Sequence, residues 1–151
     1  MSYTYDYPRP AVTVDCLIFR KNRDTYEVLL IQRDKPPFES KWALPGGFVE
    51  IDEELDKAAH RELKEETHLE NISLKQFKAY GKIDRDPRGR TISIVYYGFA
   101  DNENQNIQGG SDARHAKWFP INNLPELAFD HKEIMKEATE ELEAIKYKFK
   151  Q

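Results

Sequence analysis

The chain has a single cysteine, Cys16, in 151 residues, which excludes an intrachain disulfide as a source of stability. No apolar stretch approaches the roughly 20 residues needed to span a bilayer, so no membrane association is expected. The amino terminus lacks the basic start and apolar core of a secretory leader, and the expected location is cytoplasmic. Positive charge is not in excess: 23 Lys and Arg stand against 27 Asp and Glu, a net charge of −4. Bulk attraction for nucleic acid or an anionic membrane surface is therefore missing, and any phosphate must be held locally. Internal repeats and low-complexity segments are absent too.

A composition of 39% hydrophobic and 12% aromatic residues suffices for one core. A chain of this length buries roughly 70% of its unfolded surface, so residues 1–151 are expected to form a single domain. The Tyr- and Pro-rich start, residues 1–10, reads as an extended arm suited to dimerisation. Ala11 to Phe19 and Tyr26 to Arg33 are β-rich runs separated by a polar turn, and together predict a hairpin. Cys16 lies in the first run and reads as a small buried hydrophobe. Further strands are predicted around Leu74 to Tyr80, Thr91 to Phe99 and Ala116 to Phe119. Ile134, Ala138, Leu142, Ile145 and Phe149 recur at spacings of four or three and predict one amphipathic helix from Asp130 to about Lys148.

The most specific feature lies between these elements. Gly46-Gly47 predicts a backbone that turns sharply and approaches a ligand closely. Asp52 is a suitable N-cap, with Glu53 and Glu54 in a first turn that favours negative charge, and a helix is predicted from there to about Thr67. Leu55, Ala59 and Leu63 repeat every four residues and should face the core. Glu62, Glu65 and Glu66, spaced i, i+3, i+4, then share one adjoining face within a single turn. These like charges stand near the negative end of the helix macrodipole, where they are disfavoured unless a cation offsets them. Hard divalent ions such as Mg²⁺ or Mn²⁺ prefer carboxylate oxygens and bring substrate phosphates with them.

Gly47, Glu53, Arg61, Glu62, Leu63, Glu65, Glu66 and Leu69 fall on the positions of the Nudix box, G-x5-E-x7-R-E-U-x-E-E-x-G-U with U aliphatic, which this stretch resembles. The second motif glycine is replaced by His68. Histidine is among the residues enriched in the left-handed region, so the loop should keep its shape at a cost of roughly 1 kcal/mol. Imidazole suits softer ions than a carboxylate cluster selects, and His68 is not read as a ligand.

The resemblance implies an α/β/α sandwich with a mixed β-sheet, and a hydrolase that cleaves a nucleoside diphosphate linked to another group. It implies metal ligation by Glu62, Glu65, Glu66 and the main-chain oxygen of Gly46, with Mg²⁺ or Mn²⁺ as cofactor. It assigns Glu53 to support of the site and Arg61 to orienting a motif glutamate, with Glu65 as ligand or water-positioning base. Family members often take the general base from a downstream loop, which points to Asp112, with Glu103 second. Arg85 and Arg88, in Asp84-Arg85-Asp86-Pro87-Arg88-Gly89-Arg90, are the candidates to bind phosphate or ribose hydroxyls. That segment, together with Leu127-Ala128-Phe129-Asp130-His131, resembles ADP-ribose pyrophosphatases of the family. A proline that many of them carry some fifteen residues after the box is absent, and Gly81-Lys82-Ile83-Asp84 stands there instead. Phe129, with Trp42, Phe38 and Tyr80, could stack on the base of a nucleotide.

The leading expectation is therefore metal-dependent hydrolysis of ADP-ribose to AMP and ribose 5-phosphate by a homodimer that binds no nucleic acid. Another nucleoside diphosphate derivative keeps the same chemistry. An ADP-ribose-sensing regulator is a different class, since related regulators share the Arg85-to-Arg90 and Leu127-to-His131 signatures. The segment after His131 reads as one helix and offers no DNA-reading module.

Overall fold

A computed structural model describes residues 2–101 and 113–150. Its centre is β1 (Ala11–Asn22), which pairs antiparallel with β2 (Thr25–Arg33) and parallel with β6 (Thr91–Phe99). β3 (Trp42–Ala43) and β7 (Ala113–Pro120) add to β2, β4 (Gly46–Phe48) adds to β1, and β5 (Lys75–Tyr80) closes the far edge against β6. The result is a mixed sheet of seven strands among the described residues.

Alternation along β1 assigns the two faces. Val14, Cys16 and Ile18 point to one side, where α1 (Leu55–Thr67) covers them with Ala58, Ala59 and Leu63. Leu17 and Phe19 point to the other, where α2 (His131–Glu140) and α3 (Leu142–Phe149) bring Ile134, Met135, Ala138, Leu142 and Ile145. Helices on both faces of a mixed sheet make the expected α/β/α sandwich, and Cys16 is fully buried as predicted. Among the described residues no helix is long and apolar enough to cross a membrane. The N-terminal arm is exposed, Tyr3 stacking on Tyr5 and Arg9 lying over the Tyr5 and Tyr7 rings.

Three sequence expectations change. The C-terminal helix is two helices, because the chain turns at Glu141, which lets both apolar faces settle on one core cluster. α1 begins at Leu55 behind Glu54, not behind Asp52: Glu53 is held back in a turn, its carboxylate accepting the Glu50 N–H and pairing with Arg61. Gly46-Gly47 is a short extended strand, not a sharp turn. Glycine is required there for close approach, since a Cβ on Gly46 would lie 2.2 Å from the Val14 carbonyl oxygen.

At the end of α1, His68 adopts φ 64°, ψ 11° and donates its N–H to the Lys64 carbonyl. This is the left-handed C-cap expected for the motif's missing glycine. His68→Gly should therefore raise stability by roughly 0.5–1 kcal/mol, checked by urea denaturation.

Candidate active site

The packing of α1 against β4 sets the site. A Cβ on Gly47 would lie 2.5 Å from Glu62 Oε1, so any larger residue there would push the Glu62 carboxylate from its place. The Gly46 N–H donates to Glu66 Oε1 at 3.0 Å. Glu66 is buried, and burial pushes its carboxyl well above the usual range; the Gly46 N–H opposes this, while the charges of Glu62 and Asp15 add to it. Glu62 is also raised, chiefly by burial and against the pull of Arg61. The two carboxyls influence each other in opposite senses, Glu62 raising Glu66 and Glu66 lowering Glu62.

Arg61 organises the rest. It forks onto Glu53 (Nε to Oε2, 2.6 Å; Nη2 to Oε1, 2.9 Å) and donates Nη1 to Glu62 at 2.8 Å and Glu65 at 3.2 Å. Its Nη2 also reaches the Phe48 carbonyl. The Arg61 hydrogen bonds hold the Glu53 carboxyl below its ordinary value.

Gly46, Arg61, Glu62, Glu65, Glu66, Arg85, Arg88 and Phe129 all line one cavity of about 530 Å³. Asp112 and Glu103 lie outside the described residues. Arg85 is buried and bidentate to Asp130, at 2.9 and 2.6 Å, so its guanidinium is committed to the N-terminus of α2. Arg88 is half-exposed and pairs with Asp86 at 3.0 and 2.8 Å. Trp42 and Tyr80 are outside the cavity lining: Trp42 packs on Phe119, and Tyr80 donates its hydroxyl to Glu137. Phe38 packs edge-on against Phe129 and lines a neighbouring hollow.

Sequence reasoning missed a buried polar group behind the carboxylates. Asp15 on β1 accepts from the Ser93 hydroxyl on β6 and faces His131 Nε2 at 3.7 Å. His131 Nδ1 accepts the Leu44 N–H at 3.0 Å, so the ring proton belongs on Nε2, toward Asp15. Burial pushes the Asp15 carboxyl up, but His131, Ser93 and Arg85 outweigh it and hold the group below its ordinary value. The available signal was an acidic residue inside the apolar run Val14-Asp15-Cys16-Leu17.

Among the described residues, no group of three His, Cys, Asp or Glu side chains converges in metal-binding geometry as the side chains stand. Arg61 draws Glu62 and Glu65 toward itself, and the Gly46 N–H draws Glu66. The donor chemistry nonetheless fits a hard divalent cation: carboxylates raised chiefly by burial and further by neighbouring negative charge, beside two glycines on β4.

A NUDIX domain model matches residues 9–142. The chain belongs to the NUDIX family. It is 45% identical over 131 residues to the ADP-ribose pyrophosphatase of Methanocaldococcus jannaschii, covering 87% of this chain and 74% of that protein. It is 37% identical over 139 residues to the ADPR responsive transcriptional repressor NtrR of Acinetobacter baylyi, covering 88% of this chain and 54% of the repressor. This NUDIX chain thus spans about half the repressor's length. The NUDIX domain of Shewanella oneidensis NrtR, solved in complex with ADP ribose, superposes with a TM-score of 0.83 at 32% identity, covering 91% of this chain and 94% of that one.

Proposed function

We propose that residues 1–151 form one NUDIX hydrolase domain that cleaves the diphosphate of ADP-ribose to AMP and ribose 5-phosphate with Mg²⁺ or Mn²⁺. The observation that carries this reading is one cavity lined both by Glu62, Glu65 and Glu66 and by Arg85 and Arg88, with Glu66 buried and Glu62 partly so. Similarity to the M. jannaschii pyrophosphatase supports the substrate. Glu62, Glu65, Glu66 and the Gly46 carbonyl would hold the ion, which when bound offsets charge on the bridging oxygens and acidifies water. Arg61 keeps Glu62 and Glu65 oriented through its fork on Glu53. Arg85, Arg88 and Phe129 line the side where the nucleotide and ribose would lie. Asp112 remains our candidate to take the proton from the attacking water. The exposed aromatic arm fits a homodimer contact.

The deciding experiment is a turnover screen over ADP-ribose, NADH, diadenosine polyphosphates, nucleotide sugars and oxidised triphosphates, with Mg²⁺, with Mn²⁺ and with chelator. The expected result is equimolar AMP and ribose 5-phosphate from ADP-ribose, lost on chelation. Similarity to the NtrR repressor favours a second reading as an ADP-ribose sensor. Saturable ADP-ribose binding with no turnover in any condition would favour it.

A further inference from the structure

Cations and aromatic rings alternate along one part of the cavity lining. The guanidinium carbon of Arg88 lies over the Phe48 ring at 4.8 Å and over the Phe129 ring at 5.3 Å, and that of Arg33 lies over Phe129 at 4.9 Å. All four residues line the cavity, and Phe48 is half-exposed although it is a large apolar side chain. Phe129 is also held at φ 53°, and Phe38, which packs on it at 4.9 Å, at φ 61°. A bulky residue in the left-handed region is strained, and such strain persists where the surrounding structure imposes it for a purpose. Phe129 thus packs on the cluster of Ile31, Ala43 and Ala128 and at the same time lines the cavity.

We propose that Phe48 and Phe129 bound a slot for the nucleobase of the substrate, and that Arg88 fills this slot as a planar placeholder until the base arrives. A guanidinium and a purine are both flat and both stack on aromatic faces, so one can replace the other without rebuilding the walls. Arg88 is 40% exposed on its side chain, so the guanidinium can swing toward solvent on giving up its two bonds to Asp86. Asp86 is not orphaned when it does: its Oδ1 still accepts the Arg88 backbone N–H at 2.9 Å, and the charge of Arg85 still acts on it. Recognition by stacking on two rings selects for the presence of a base more than for its identity.

This inference rests on the ADP-ribose reading, and the test separates the two. The specificity ratio is the kcat/KM for ADP-ribose divided by that for a ribose 5-diphosphate capped with a methyl group, which has no base. Phe48→Ala and Phe129→Ala should each lower this ratio about tenfold or more, and Phe48→Trp should restore it. Arg88→Ala should keep base discrimination, because the rings remain. AMP binding to the metal-free protein, measured by calorimetry, should weaken in both Phe variants and so reports on the slot without turnover. Ratios and AMP affinities unchanged in both Phe variants, or discrimination lost in Arg88→Ala alone, would overturn the slot while leaving the hydrolase reading intact. A wild-type protein that neither cleaves ADP-ribose nor binds AMP would overturn both.

Discussion

Glu66→Gln is expected to lower kcat/KM for ADP-ribose by about three orders of magnitude, the equivalent of about 4 kcal/mol of transition-state stabilisation. The amide keeps an oxygen to accept the Gly46 N–H, so β4 should stay in place. It removes a ligand oxygen with a full charge. The same change should stabilise the metal-free protein by about 2 kcal/mol at neutral pH, because it replaces a buried carboxylate crowded by Glu62 and Asp15 with a neutral group of the same shape. The sign follows from linkage. A carboxyl whose folded pKa lies above its unfolded value binds more protons in the folded state, so its contribution is most favourable below the unfolded pKa and declines as pH rises through the folded one. The stability gap between Glu66→Gln and wild type should therefore be small at acidic pH and widen toward neutrality, seen as melting temperatures across a pH series with chelator. Added Mg²⁺ should stabilise wild type and leave the variant largely unmoved. Full activity in Glu66→Gln would remove this residue from the mechanism.

Arg61→Ala should be the other severe change, costing about 3 kcal/mol of stability and about a hundredfold in kcat/KM. One guanidinium ties the Phe48 carbonyl of β4, Glu53 of the preceding turn and Glu62 and Glu65 of α1 into a single unit. Without it, three carboxylates face one another with no cation between them, and the turn at Glu53 loses its anchor. Arg61→Lys should fall between, at about a tenfold loss, because an ammonium is a point charge that cannot fork onto Glu53 while also reaching Glu62. Denaturant midpoints and steady-state rates for the two variants give the check. Equal effects from Lys and Ala would mean that only the fork geometry matters, whereas a harmless Lys would mean that only the charge does.

Much of the machinery was legible in the order of residues because it is local. Glu62, Glu65 and Glu66 share a helix face through 3.6-residue periodicity, the alternation of β1 sorts its side chains between the two layers, and His68 at the helix end demands a left-handed cap; each depends on neighbours a few positions away. The break at Glu141 was not legible in this way. The apolar spacing runs unbroken through it, and the break appears only in the tertiary structure, where both helices pack on one core cluster.

The partners of Asp15, Ser93, Leu44 and His131, and the pairing of Arg85 with Asp130 instead of with its own turn, join residues from 45 to 116 positions apart. Nothing in local spacing encodes such contacts. They arise because parallel pairing of β1 with β6 and docking of the α2 N-terminus place distant groups in one dry region, where each buried charge must find a partner or shift its pKa. The acidic cluster is thus a property of one helical turn, while its electrostatic surroundings, and the arginines and phenyl rings that share its cavity, belong to the assembled sandwich.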